Sequence, residues 1–246
     1  MPLAQRHTAD GPVAVLNHPG TVWRVGYLPD PWNWTPWEYA EQGRFHGRWD
    51  DPDGRYRTLY AGVSLLGCLV EVLACFRPDP TMDLQLADIQ EDPQDAQLWP
   101  TAPAGQVPLD WLTPRTATSA TLTGTYCSVT KAETISTLRP RFLAAAITYG
   151  LPDFDAAALR LARPRSLTQE VSAWLYRQHL PTGDALFDGA HFQSRHGDDH
   201  ELLAIFERGV DDDSSRLLTQ HAEEPLHPAH PAIVRAMALH RLVWAG

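Results

Sequence analysis

Glu71 stands in the middle of an apolar run, with Leu69 and Val70 before it and Val72 and Leu73 after it. Burying an unpaired carboxylate costs several kcal/mol in order-of-magnitude terms, so a sequence that keeps one there supplies compensation. The plainer alternative puts Glu71 on the narrow polar edge of an amphipathic helix, in water, and the residue alone leaves both readings open. Arginines crowd the stretch around it: Arg24, Arg44, Arg48, Arg55 and Arg57, interleaved with Trp23, Tyr27, Trp49, Tyr56 and Tyr60. Guanidinium forks suit a phosphate or pyrophosphate, and aromatic faces suit a flat heterocycle. With one carboxylate these are the parts of a nucleotide site, although any single arginine here also reads as a solvated loop side chain. No glycine-rich phosphate loop of either common type occurs, which disfavours a Rossmann or P-loop nucleotide enzyme.

The elements that must position these groups follow from periodicity. Thr21–Leu28 alternates as a strand, with Val22, Arg24 and Gly26 on one face. Pro29–Trp37 is a loop with aromatic anchors, and residues 41–57 form a turn-rich connection in which Asp53-Gly54 precedes a short strand, Tyr56–Ala61. Val63–Phe76 is too long for a typical strand; its leucines and alanines predict a buried helix that Arg77-Pro78 ends. Met82–Ile89 alternates as a strand, residues 90–120 read as an extended loop region, and Leu122–Val129 as a further strand. Helical spacing marks Ser136–Tyr149 and Leu167–His179, the latter with Val171, Trp174 and Leu175 on one face. Phe187–Ser194 reads as a loop into a strand, Glu201–Glu207 as a strand, and Pro231–Trp244 as an amphipathic helix with Ile233, Val234, Met237 and Val243 as its stripe. Strands and helices do not alternate regularly, which predicts an α+β fold over a doubly wound one.

Composition narrows the function classes. The 246 residues are 43% hydrophobic and 20% charged, enough for a real core and too apolar for wholesale disorder. Lys+Arg total 20 against 30 Asp+Glu, a net charge of −10, and this lacks the footprint of a nucleic-acid or anionic-membrane binder. A local arginine cluster could still hold a phosphate; that only Lys131 of the 20 basic residues is a lysine reflects GC-rich coding more than chemistry. No apolar run reaches the ~20 residues of a membrane span. The start MPLAQRHTADGP has no basic region followed by an apolar one, which predicts no signal peptide. Three cysteines, Cys68, Cys75 and Cys127, are too few for a disulfide framework and predict a cytoplasmic protein. Homo-oligomerisation is left open.

Other candidates carry less. His196, Asp198, Asp199 and His200 form HGDDH, but Gly197 breaks the helical face that would converge the two histidines, so no metal site is expected and a solvated loop beside the substrate site is. Cys68 and Cys75 are seven apart and read as reduced core cysteines on one helix face. Asp211–Asp213 reads as an exposed turn, the acidic stretch from Asp79 to Asp95 as a solvated loop, and the tryptophans mostly as core, with Trp32, Trp34 and Trp37 as the ones that could line a binding surface.

Gly47–Phe76 (GRWDDPDGRYRTLYAGVSLLGCLVEVLACF) resembles the signature region of the RES domain family, named for its arginine, glutamate and serine. The matching elements are Arg48-Trp49, the Pro52 turn, Leu59-Tyr60 and Glu71-Val72. Arg44-Phe45 competes with Arg48-Trp49 for one role, and the second pair is preferred because it directly precedes the Asp-Asp-Pro turn. VWRVGY resembles the family's opening strand and places an arginine at Arg24; Asp188–Gly197 resembles its Asp-Gly-aromatic-x-Ser-Arg segment and places its serine at Ser194. The resemblance spans Thr21–Glu207, with residues 1–20 as a flexible lead-in and 208–246 as a C-terminal extension whose helix packs on the same domain.

The resemblance implies a fold similar to ADP-ribosyltransferase toxins, an α+β core of mixed and antiparallel sheets flanked by helices. It implies an activity that destroys NAD by cleaving the nicotinamide–ribose bond, with water or phosphate as acceptor and NAD as substrate rather than cofactor. It also implies a toxin neutralised by an antitoxin with a helix-turn-helix domain. In that reading Glu71 stabilises the oxocarbenium-like ribose, Arg24 and Arg48 clamp the pyrophosphate, and Tyr60 stacks on or borders the nicotinamide. Ser194 bonds the substrate or orients Glu71; no GxSxG elbow surrounds it, so it is no nucleophile. Two alternatives stand beside this: a transferase placing ADP-ribose on a protein or nucleotide, and a catalytically silent binding module. The retained Arg24, Arg48, Tyr60 and Glu71 argue against the second.

Overall fold

A computed structural model describes residues 4–78 and 104–245. Nine strands form one mixed sheet in the spatial order β1 (Ala4–Thr8), β2 (Gly11–Asn17), β7 (Thr125–Ser128), β8 (Gly189–Ser194), β9 (Gly197–Phe206), β4 (Thr58–Gly62), β3 (Gly20–Tyr27), β6 (Arg115–Leu122) and β10 (Leu218–Glu224). All neighbours are antiparallel except β7 and β8. A parallel pair needs a crossover, and this one carries three helices: α2 (Ala132–Thr148), α3 (Ala156–Arg160) and α4 (Ser166–Tyr176). Helix α1 (Leu65–Leu73) follows β4, α5 (Pro231–His240) follows β10, and a small parallel pair joins β5 (Gln106–Val107) to β11 (Val243–Trp244). The class is α+β, with helices flanking a mostly antiparallel sheet.

Both faces of the central strands are covered, so β9 reads as a continuous apolar run. Leu202, Ala204 and Phe206 pack under α2 and α4, while Leu203 and Ile205 face a second cluster closed by Trp32 and Trp34. The loop tryptophans Trp32 and Trp34, each 3% exposed, are therefore core anchors, whereas Trp37 stays exposed. A third cluster joins α1 to α5 through Leu69, Val70, Leu73, Ile233, Ala236 and Met237.

The structure corrects several expectations. Within the expected lead-in, residues 4–20 are ordered into strands: β1 and β2 form an edge hairpin, and Val13, Ala14 and Val15 are buried. The polar Gly-Pro punctuation masked the VAV run that packs against α2. Within 90–120, expected as loop, Arg115–Ala120 belong to β6, whose full pairing with β3 runs from Gly20↔Leu122 to Tyr27↔Arg115. Its threonines and alanines alternate without large side chains, which hides the period. The Leu122–Val129 strand is instead a turn through Gly124 followed by β7. In the last helix Ile233 and Met237 are buried, but Val234 is exposed and Val243 lies in β11; Ala236 and His240 complete the inner stripe. His200 and Gly197 lie in β9 rather than in a loop. Cys68 is buried and Cys75 exposed, so the pair does not share a core face. The strand expected at Met82–Ile89 and the acidic stretch beginning at Asp79 lie outside the described residues. The stretch after 207 supplies β10 to the sheet edge and α5 to the α1 face.

Candidate functional site

A cleft of about 510 Å³ opens between α1 and the segment leading into α4, above strands β3, β4, β8 and β9. Its walls carry Arg24, Arg48, Tyr60 and Glu71, four of the six site residues singled out from the sequence, together with Arg165 and Arg195, which were not, and His196, which was expected in a loop beside the site. Arg44 is not among them. It is exposed, and its guanidinium reaches only the Pro52 carbonyl at 3.5 Å, so of the two competing arginine–aromatic pairs the structure turns Arg48 into the cleft. The resolution of that choice was not available from residue type, because both arginines sit in the same glycine-rich turn.

Helix α1 presents Glu71. Ser64 caps it by accepting from the Gly67 N–H at 3.1 Å, and its apolar positions turn toward α5 and the sheet. Glu71 is left half-buried on the cleft side, neither in dry core nor in bulk water. The Ser194 hydroxyl donates to Glu71 Oε1, and the His196 N–H donates to Ser194 Oγ at 2.9 Å. Ser194, 1% exposed at the end of β8, thus orients the carboxylate from behind instead of lining the cavity.

Arg24 lines the cleft with part of its donor set already engaged. β3 and β4 pair at a single position, Trp23↔Gly62. Beyond it the Arg24 side chain takes over from the main-chain ladder: Nη1 donates to the Tyr60 carbonyl and Nε to the Pro31 carbonyl, each at 2.8 Å. Burial brings its pKa down to about 10, which still leaves it charged at neutral pH. Two of its five donors are committed to backbone, so it contributes a fixed positive charge more than a free clamp.

Arg48 is the free cation. Among the described residues it has no hydrogen-bond or ion-pair partner, and it shares the cleft with Glu71. Burial lowers its pKa, the Glu71 charge opposes that, and the Arg195 and Arg165 charges add to it. Its loop is tied down on every side. Gly47 donates its N–H to Asp50, its carbonyl accepts from Gln169 at 3.0 Å, and the Trp49 carbonyl accepts from Ser172 and Thr58. The Tyr60 hydroxyl donates to Asp50 Oδ1 at 2.8 Å and accepts from the Trp49 N–H at 2.9 Å. A Cβ at Gly47 would lie 2.5 Å from that hydroxyl and 2.6 Å from Asp50 Oδ2, so only glycine fits the junction. Burial raises the pKa of both Tyr60 and Asp50, in keeping with a phenol held against a carboxylate.

His196 sits at the rim among cations. Arg77 donates toward Nδ1 and Arg195 Nε toward Nε2, each at 3.2 Å, and a neutral ring accepts only one of them at a time. Burial brings its pKa down to about 4; the Glu71 charge opposes this, while Arg195, His240 and Arg77 reinforce it. Cys68 at the cleft wall donates to the Trp23 carbonyl at 3.0 Å, and burial pushes its pKa to about 12, which removes it as a thiolate nucleophile. Among the described residues no group of three or more His, Cys, Asp or Glu could hold a metal ion. Nor is any described helix long and apolar enough to cross a membrane.

Chemically the arrangement offers one oriented carboxylate and four guanidinium groups, Arg24, Arg48, Arg165 and Arg195, around a cavity with apolar walls at Val72, Phe192 and Leu202. The two cations missed from sequence, Arg165 and Arg195, come from far along the chain; the only signal was that Arg195 directly follows Ser194.

Comparison with known proteins adds the following. The family model described as RES domain matches residues 21–127, a stretch that contains Arg24, Arg44, Arg48, Tyr60 and Glu71. Ser194, Arg165 and Arg195 lie beyond it. No curated protein matches the chain. Among solved structures, the crystal structure of the M. tuberculosis MbcT-MbcA toxin-antitoxin complex contains a similar chain, at 15% identity and a TM-score of 0.42, covering 90% of this chain and 89% of that one.

Proposed function

For a chain that carries a RES domain, matched over residues 21–127, we propose that the cleft cleaves NAD between nicotinamide and ribose, as a toxin of a toxin–antitoxin pair. The observation that carries this is Glu71 itself: a carboxylate oriented by Ser194 and facing a cavity whose remaining charged groups are arginines.

The chemistry follows from charge. When the bond between the ribose C1′ and the nicotinamide nitrogen breaks, its electron pair leaves with nicotinamide and the ribose becomes oxocarbenium-like. A fixed carboxylate close to that carbon stabilises the developing positive charge, and pre-orientation by Ser194 means little reorganisation is needed as it forms. Arg48 holds the pyrophosphate, fixing the scissile bond over Glu71; Arg24 adds a positive field from the sheet. Tyr60 acts through the 47–50 loop, setting where Arg48 sits. A water or a phosphate then adds to C1′, and the water loses its proton to solvent or to Glu71. Cys68 takes no part, since burial holds its thiol protonated.

In this reading the chain acts alone on NAD and is held in check by a partner protein, an antitoxin with a helix-turn-helix domain in the pattern the family resemblance implies. The test incubates the full chain with NAD in water, in phosphate and with cell lysate, and identifies the ribose product. Free ADP-ribose or its C1-phosphate supports cleavage; intact NAD in all three sinks it. ADP-ribose attached to protein or nucleic acid would mark a transferase instead.

A further inference from the structure

We propose that His240, at the end of α5, is a positioning residue for Glu71: its ring ties the last turn of α1 to the turn between β8 and β9 and so fixes the bond between Glu71 and Ser194. The inference rests on the reading of the cleft as a site of NAD cleavage and adds a residue of α5 to its machinery.

The position itself poses the question. Ile233, Ala236 and Met237 form the inner stripe of α5 and pack on Leu69, Val70 and Leu73 of α1. His240 comes three residues after Met237 and four after Ala236, so helical spacing puts it on the same stripe. An imidazole there, 8% exposed, has left water in a seam that an aliphatic side chain would fill, and it costs stability unless its polar atoms find partners.

The partner is the residue next to Glu71. His240 Nε2 donates to the Val70 carbonyl at 2.7 Å; a carbonyl can only accept, so this contact places a proton on Nε2. Val70 lies in the last turn of α1, where carbonyls run short of helical partners, and the chain passes after Leu73 into a 3-10 turn at Ala74–Phe76. The Val70 carbonyl belongs to the planar peptide unit that carries the Glu71 N–H. Holding that plane sets the direction in which the Glu71 side chain leaves the helix.

The second contact reaches the other half of the pair. The His240 and His196 rings meet edge to face, with centroids 5.3 Å apart and planes at 77°. His196 is the residue whose N–H donates to Ser194 Oγ. The contacts therefore close on themselves: Ser194 donates to Glu71, His196 to Ser194, the His196 ring packs on His240, and His240 holds the peptide before Glu71. His240 is held in its turn. The chain bends sharply at Arg241, φ +56°, the Leu242 N–H returns to the Met237 carbonyl at 2.9 Å, and Leu242 is buried. Packing alone calls for an apolar side chain; the imidazole adds a donor aimed at the α1 peptide that adjoins the carboxylate.

The test compares the full chain with His240→Leu, which keeps an apolar side chain in the seam and removes the donor, and with His240→Gln, whose amide stands in for the Nε2 donor. Should His240→Leu not fold, His240→Asn, whose shorter amide stops short of Val70, takes its place. Steady-state NAD cleavage is measured, and amide hydrogen exchange at His196 is followed without substrate. At a melting temperature close to the parent's, His240→Leu should lower kcat about tenfold with KM unchanged, and speed His196 exchange about tenfold. His240→Gln should recover most of the lost kcat. In a Glu71→Gln background His240→Leu should change nothing further, because its effect passes through that carboxylate. Parent-like kcat in folded His240→Leu overturns the assignment. So do losses of kcat that follow melting temperature equally in the Leu and Gln variants, and loss of the fold in all three; each leaves His240 a packing residue. If the parent releases no nicotinamide from NAD, the cleavage reading falls and hydrogen exchange decides alone. Faster His196 exchange in folded His240→Leu then keeps the clamp on the Glu71–Ser194 pair, and parent-like exchange removes it.

Discussion

The Tyr60 hydroxyl holds the Asp50 carboxylate at 2.8 Å while accepting the Trp49 N–H, so one phenol bridges both residues that follow Arg48. In the proposed mechanism Tyr60 thereby acts as a positioning residue for the guanidinium. Tyr60→Phe leaves a buried carboxylate and a main-chain N–H without that partner, at a cost of about 1–3 kcal/mol in stability. Its kinetic effect should fall on KM, with a rise of about tenfold, and should vanish in an Arg48→Ala background. A double-mutant cycle reads this directly; additive losses would show that Tyr60 acts on substrate by itself.

Ser194 and Glu71 form the other relationship on which the site depends. With the hydroxyl gone, Glu71 loses the donor that fixes its Oε1, while the fold keeps its sheet and helix contacts. Ser194→Ala should lower kcat about tenfold with little change in KM, since the effect is on the charge that meets the transition state. An unchanged kcat would mean that Glu71 is oriented by something else.

The two arginine–aromatic pairs separate cleanly in the structure. Arg48 lines the cleft without a partner among the described residues, whereas Arg44 is exposed and outside it. Arg48→Ala should raise KM for NAD by about tenfold to a hundredfold, and Arg44→Ala should leave it unchanged within error. The reverse ranking in steady-state kinetics would reassign the pyrophosphate contact.

His196 ties acid stability to the rim of the site. Its ordinary value is 6.5, and burial brings it to about 4 in the folded chain. Between those values the unfolded chain binds more protons than the folded one, so stability is lost as pH falls through the window. Melting temperature should therefore drop more steeply between pH 6.5 and about 4 in the parent chain than in His196→Gln. Parallel slopes would show that the imidazole is not buried as described.

Much of this site is legible along the chain because its chemistry is local. Glu71 betrays itself as a carboxylate inside an apolar helix, and Arg48, Tyr60 and Ser194 stand in short motifs around turns and strand ends. The partners that give these groups their roles are not local. Asp50 reads as an ordinary turn aspartate until Tyr60 is brought over it by β4, and Arg24 reads as a clamp until the single bridge between β3 and β4 shows what it replaces. Arg165 carries no pattern of its own and becomes a cleft residue only because the crossover between β7 and β8 returns it to the sheet. The fold shows the same division. Helices with large apolar side chains are visible as periods, whereas β6, built of threonine and alanine, owes its strand pairing to β3, remote in sequence, and β2, punctuated by Gly11-Pro12, is held between its hairpin partner β1 and the distant β7.

Nicotinamide release from NAD by the parent chain and by Glu71→Gln, both checked for the same melting temperature, is the measurement closest to the centre of the mechanism. Removing the negative charge while keeping the side chain's shape should lower kcat about a hundredfold to a thousandfold, with the protein still folded. Full turnover by Glu71→Gln would contradict the role given to this carboxylate.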